Sequence, residues 1–223
     1  KLYRYFVNEE PDEQKVNWLA DRFYNNQYDI KKLLTDIFQS EWFYEEKNIG
    51  NKIKSPVELI AGMRRLLPLE LSNESVQLLF QKLLGQVLFF PPNVAGWPGG
   101  RNWIDSSTLM VRLQIPRLLT ASENIQLRAK GDDDVDMGKM KDDKNTGLPS
   151  KRSTASINWP MLTTVFEKIP RDKLAQQIAD ILLQSRSRTD LALLEKHISK
   201  ESREAYIKTA VINLMSTPEY QLC

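Results

Sequence analysis

Apolar positions recur along this chain at helical spacing, in blocks separated by capping residues. Over residues 13–26, Val16, Leu19, Ala20, Phe23 and Tyr24 fall at i, i+3, i+4, i+7 and i+8, which predicts an amphipathic helix. A second helix is expected over residues 30–39, capped by Asp29, with Ile30, Leu33, Leu34, Ile37 and Phe38 on its inner face. It runs into Ser40-Glu41-Trp42-Phe43-Tyr44, an aromatic cluster expected to fold back onto the bundle, and residues 2–7 read as the tail of a helix.

Ser55-Pro56-Val57-Glu58 is a strong start signal: serine at N-cap, proline at N1, and a glutamate three residues on to close a capping box. The helix it opens carries Leu59, Ile60, Met63, Leu66 and Leu67 as far as Pro68. Another follows from about Asn73 to Leu84, buries Val76, Leu79, Phe80, Leu83 and Leu84, and stops at Gly85 in the C′ position. Asp105-Ser106-Ser107 caps a helix through Leu109, Met110 and Leu113, which Pro116 is expected to kink or divide. Helical spacing returns at Trp159-Pro160-Met161, then after Pro170 with Leu174, Ile178, Ile181 and Leu182. A short helix begins at Thr189 or Asp190, and a last one at Ser199 or Lys200 carries Tyr206, Ala210, Val211, Leu214 and Met215. No useful length alternates with period two, so the fold class is all-α, a multi-helix bundle.

Two stretches break the helical pattern. Residues 85–104 hold Phe90-Pro91-Pro92-Asn93-Val94-Ala95-Gly96-Trp97-Pro98-Gly99-Gly100-Arg101-Asn102-Trp103, a long, ordered loop in which prolines set φ and glycines permit positive φ. Residues 130–156 are rich in Asp and Lys with little to bury, and read as a flexible charged insertion or linker. The expected organisation is therefore a helical core over 1–129, the insertion over 130–156, and C-terminal helices over 157–223 packing on the same core. Ile37–Phe43 and Leu214–Tyr220 echo each other, each a helix end followed by a hydroxyl residue and an aromatic; a duplicated unit and coincident helix ends both account for that.

Composition narrows the function classes. The 223 residues are 41% hydrophobic and 27% charged with a formal net charge of +2, so no strong field argues for nucleic acid or an anionic membrane. The longest apolar runs fall far short of the roughly 18 residues a membrane span requires. The sequence starts at Lys1 with no apolar leader, as an excised or processed chain would, and its one cysteine, Cys223, allows no intrachain disulfide.

Candidate chemistry concentrates in the loop. Gly96, Gly99 and Gly100 could bring backbone N–H groups to an anion beside Arg101, although the spacing is not that of a P-loop. Trp97 and Trp103 could form a platform for a sugar ring or peptide, or both could pack on neighbouring helices and make the loop a rigid connector. Asn93 belongs to the same turn, and Arg112, four residues before Pro116, reads as a buried or half-buried side chain tied to loop carbonyls, with substrate binding as the alternative. The candidate binding residues are thus Asn93, Gly96, Trp97, Gly99, Gly100, Arg101, Trp103 and Arg112.

Elsewhere the signals are thin. Asp132, Asp134, Asp136 and Asp143 have calcium-loop spacing, but Met137 stands where such a loop needs glycine, so no metal site is assigned. His197 is the only histidine, which argues against multi-histidine zinc and a Ser-His-Asp arrangement. Glu41 with Glu45 or Glu46 reads first as a solvated helix end rather than an acid/base pair. No catalytic residue and no cofactor is assigned.

The segment Pro91-Pro92-Asn93-Val94-Ala95-Gly96-Trp97-Pro98-Gly99-Gly100, with Trp103, Leu109 and Arg112 after it, resembles the hallmark of the domain-of-unknown-function family 1800. Ser55-Pro56-Val57-Glu58 before Arg65-Leu66, and the closing Ser216-Thr217-Pro218-Glu219-Tyr220-Gln221, fit the same family. The resemblance spans nearly the whole chain and matches the C-terminal part of such proteins. It implies a bacterial, often exported protein, hence a periplasmic or extracellular location, often encoded beside a second uncharacterised family similar to sulfatases and phosphatases. It supplies no catalytic residues. Two functions follow as expectations: a binding or assembly module whose loop meets a partner protein or glycan, or part of a hydrolase acting on a cell-surface or polymeric substrate.

Overall fold

The computed structural model describes residues 1–72, 74–120, 155–183 and 190–223. Asn73, Thr189, the charged segment 130–154 and the calcium-spaced aspartates Asp132, Asp134, Asp136 and Asp143 lie outside the described residues. The fold is all-α in character, with one short two-stranded ladder. It divides into two compact units, residues 1–52 with 222–223, and residues 53–221.

The smaller unit contains α1 (Leu2–Phe6), α2 (Glu13–Asn25) and α3 (Ile30–Phe38). Asp12 caps α2 by accepting from Lys15 N, and Asp29 caps α3 by accepting from Lys31 N and Lys32 N. Its core is Tyr3, Val7, Leu19, Leu33 and Ile37, with Val16, Phe23, Trp42 and Phe43 against it. Arg22 clamps Asp36 with two hydrogen bonds, joining α2 to α3. The apolar stripes are wider than this small core can cover: Tyr24, Ile30 and Phe38, expected inside, are exposed.

The larger unit contains α4 (Pro56–Leu66), β1 (Leu69–Leu71), α5 (Ser75–Leu83), α6 (Ser106–Thr120), β2 (Ala155–Ile157), α7 (Trp159–Val165), α8 (Arg171–Leu182), α9 (Leu191–Glu195) and α10 (Arg203–Met215). Helix α10 sits at its centre against α6, α7, α8 and α9. It buries Tyr206, Ile207, Ala210, Val211, Leu214 and Met215, two adjacent rows rather than one stripe, as a helix enclosed on several sides requires. Leu59, Met63, Phe80, Ile115, Leu174 and Ile178 complete the interior.

Several local details differ from the pattern-based expectation. Strands β1 and β2 pair antiparallel, Leu69 opposite Ile157 and Leu71 opposite Ala155, and so take in Ala155 and Ser156, which composition alone places at the end of the charged segment. Three-residue strands are too short to show alternation. Helix α10 is capped by Ser202 rather than Ser199 or Lys200. Ile181 is exposed, and the inner face of α8 is completed instead by Ala175 and Ala179. Pro116 neither divides nor ends α6. The residue is buried, and its missing N–H only releases the carbonyl four residues back, that of Arg112.

The capping signals at Ser55 and Gly85 are realised as read. Ser55 accepts from Glu58 N while its own N–H donates to the Glu58 carboxylate at 2.7 Å. Gly85 takes φ +81°, with Gly85 N bonded to Lys82 O and Gln86 N to Gln81 O, the two bonds of a Schellman stop. A side chain at Gly85 would meet no atom within 4 Å, so only backbone strain opposes one. Gly85→Ala is therefore expected to lower stability by about 1 kcal/mol, read as a shift of the urea midpoint with unchanged slope.

Candidate functional site

Helix α5 delivers the chain into residues 85–104, and α6 takes it away. The entry is fixed from both sides of Gly85: Gln81 Oε1 accepts from Leu88 N at 3.0 Å, and Gln86 Oε1 accepts from Val57 N at 3.0 Å. The second bond satisfies an N–H in the first turn of α4 that has no helical acceptor. At the far end Asp105 caps α6, its Oδ1 accepting from Ser107 N and Thr108 N, each at 2.8 Å. Those bonds hold the Asp105 carboxyl below its ordinary range, the bond from the Thr108 amide first.

Between these anchors the loop is internally bonded. Asn93 Oδ1 accepts from Ala95 N at 2.8 Å and Asn93 O from Gly96 N at 3.0 Å, a turn that Gly96 permits by taking φ +89°. Gly99 O accepts from both Asn102 N and Asn102 Nδ2, opening a 3₁₀ turn over Gly100–Trp103 with Gly100 at φ +59°. Trp103 is buried and its carbonyl accepts from Thr108 Oγ1 at 3.2 Å. Trp97 and Gly96 are half-buried, whereas Asn93, Gly99 and Arg101 are exposed. Of the two tryptophans one is thus an interior anchor and the other a partly covered ring; they do not form an open two-ring platform.

What the loop presents is different and was not singled out from the sequence. Phe89 is 91% exposed, Leu88 and Phe90 on either side of it are exposed, and so is Val94 five residues on. Phe89 also has φ +67°, a left-handed conformation that bulky side chains avoid. A run such as Leu88-Phe89-Phe90 reads as core in any hydropathy pattern, which is why periodicity could not find it.

Arg112 is fully buried, as expected, but its partner is not the loop. Nη1 donates to Lys54 O at 3.0 Å, while Nε and Nη2 find no acceptor among the described residues. Burial alone lowers its pKa to about 10. Because the folded value lies below the unfolded one for a base, the cost of burying this cation is present at neutral pH and relieved only above about pH 10. Lys54 is buried too: its Nζ donates to Tyr220 O at 2.7 Å and lies 4.0 Å from the Tyr220 ring centre, and its N–H donates to Gln221 O at 2.8 Å. Burial raises the Tyr220 phenol. Gln221, buried with neither side-chain amide atom finding a partner among the described residues, completes a polar node joining the start of α4, α6 and the closing 3₁₀ turn. The run Lys52-Ile53-Lys54 looks solvated in the sequence, so Lys54 gave no signal.

Other candidates are quickly placed. Glu41 and Glu46 open two exposed 3₁₀ turns of the smaller unit with Glu45 between them, and Glu45 is paired with Lys47 at 2.9 Å and Lys15 at 3.4 Å. Lys47 is the main cause of its lowered pKa, the opposite of what a proton donor needs. His197 is exposed, and its carbonyl accepts from Asn213. A shallow depression of about 500 Å³ follows one face of α3, lined by Ile30, Lys31, Leu34, Thr35, Phe38 and Gln39. Among the described residues no group of acidic, histidine and cysteine side chains could hold a metal ion, and no helix is long and apolar enough to cross a membrane.

No curated protein and no solved structure matches the chain. The family described as “Protein of unknown function (DUF1800)” matches residues 1–222, so the capped helices, the Pro/Gly/Trp loop and the closing turn all fall within a single family match. This chain belongs to the DUF1800 family.

Proposed function

We propose that the chain is a binding or assembly module whose contact element is the loop of residues 85–104. The observation that carries this reading is Phe89, a ring 91% exposed on a backbone at φ +67°. That conformation costs a bulky residue about 1–2 kcal/mol. A ring left in water recovers none of it by folding. Strain kept at an exposed aromatic, inside a loop whose turns are otherwise well bonded, supports a role in contact. Phe90, Val94 and Leu88 enlarge the apolar surface. In this reading Asn93, Gly96, Gly99 and Gly100 shape the loop, Trp97 and Arg101 form its rim, and Trp103 and Arg112 act from the interior. The exposed rings have no polar side chains among their immediate neighbours in the chain, which favours an apolar partner surface over a glycan. The family resemblance supports an exported location.

The test is a photo-reactive benzoylphenylalanine at position 89 of the full-length protein, irradiated in cells that make it. The control position is Glu201, exposed and remote in sequence. Discrete adducts at 89 and none at 201 are expected; equal, diffuse labelling at both would sink the reading.

A further inference from the structure

Helix α3 buries one face in the smaller unit and keeps an apolar row on another. Leu33 and Ile37 belong to the core, while Ile30 and Phe38 are exposed and Leu34 between them is half-buried. Ile30, Leu34 and Phe38 stand at i, i+4 and i+8, the spacing of a packing ridge on a helix surface. Lys31, Thr35 and Gln39 form the next ridge, and the depression of about 500 Å³ follows the two. Each ridge is alike at its two ends, apolar in the first and long and polar in the second. A second copy of α3 running antiparallel therefore fits it: the Ile30 and Lys31 end of each copy meets the Phe38 and Gln39 end of the other, with both Leu34 side chains near the two-fold axis.

Charge selects that occupant and that direction. Lys31 is in the first turn of α3, where the helix dipole disfavours a cation, and Glu41 lies just beyond the last turn, where it disfavours an anion. Both are exposed, and neither has an ion-pair partner among the described residues. Asp36, the one carboxylate within α3, is held by Arg22 instead. An antiparallel copy brings Lys31 of each chain to the end of α3 that carries Glu41 in the other and opposes the two dipoles. A parallel copy would set Lys31 beside Lys31.

We infer that this face of α3 is a two-fold contact between two copies of this chain, separate from the role proposed for the loop. A nine-residue helix buries well under the roughly 800 Å² per partner of a stable interface, so the dimer is weak, with a Kd on the order of 0.1 mM.

The experiment is sedimentation velocity of the full chain from about 10 μM to about 1 mM, at low and high salt. Reductant is present throughout, so that Cys223 forms no bridge between copies. Native protein is expected to pass from monomer to dimer over this range, and high salt to weaken the dimer about threefold. Leu34→Glu sets like charges at the axis and should weaken it about tenfold or more. Lys31→Glu and Glu41→Lys should each weaken it about threefold, and the double reversal should restore it, which a general change in solubility would not do. These two positions are exposed, so they decide the matter should Leu34→Glu fail to fold by circular dichroism. A chain that stays monomeric to about 1 mM overturns the inference, whatever else covers α3. So does a dimer indifferent to the single reversals, which would place the contact on another face. Phe89→Asn should leave the dimer unchanged; its loss in that variant would move self-association to the loop and overturn the inference while leaving the loop's binding role standing.

Discussion

Replacing Arg112 with methionine is expected to change stability by no more than about 1 kcal/mol, whereas alanine at the same position costs about 3–5 kcal/mol. The two substitutions separate volume from charge. Alanine empties a site that is fully enclosed, so it loses packing and leaves a cavity. It also removes the hydrogen bond that Arg112 gives to the buried Lys54 O, a loss of about 1–3 kcal/mol. Methionine loses the same bond but refills the space and removes a cation whose Nε and Nη2 have no acceptor among the described residues. Replacing buried charge by apolar volume commonly returns about 1–4 kcal/mol, which offsets the lost bond. Urea unfolding of both variants reads the difference directly. A loss above about 2 kcal/mol in the methionine variant would mean that Nε and Nη2 are paired in solution.

Trp103→Ala is expected to cost about 3–5 kcal/mol, the second large effect. The ring is the loop's interior anchor, and its carbonyl receives Thr108 Oγ1 in the first turn of α6. Removing the ring opens a cavity beneath the junction and loosens the start of the helix that carries Arg112. Trp103→Phe keeps part of the buried area and should lose about half as much. Thermal unfolding of the pair orders them; equal loss from both would show that the indole contributes through its N–H rather than its bulk.

Caps and stops were the most legible part of this fold. Ser55 with Glu58, Gly85, Asp29, Asp105 and Asp190 all act where local chemistry says they should, because each effect is contained within a few residues. Apolar periodicity was a poorer guide to burial. Ile30, Phe38 and Tyr24 lie on helical stripes yet stay exposed, since how much of a stripe is covered depends on what packs against it. The candidate site was half legible. The glycines and Asn93 form the turns their types suggest, but which tryptophan is buried follows from tertiary packing alone. Lys54 was invisible for the same reason: its burial depends on Tyr220 and Gln221, more than 160 residues away. Pro116 shows the converse, a strong local breaker overruled by its buried place in α6.

The central claim is that the apolar tip serves contact and not folding, and Phe89→Asn tests it most directly. Asparagine tolerates φ +67° where phenylalanine is strained, and a ring 91% exposed has almost no packing to lose. Urea unfolding of Phe89→Asn is predicted to give stability equal to the native chain or higher by about 0.5–1 kcal/mol. A loss of more than about 1 kcal/mol would contradict the account, because the ring would then be earning its place inside the fold.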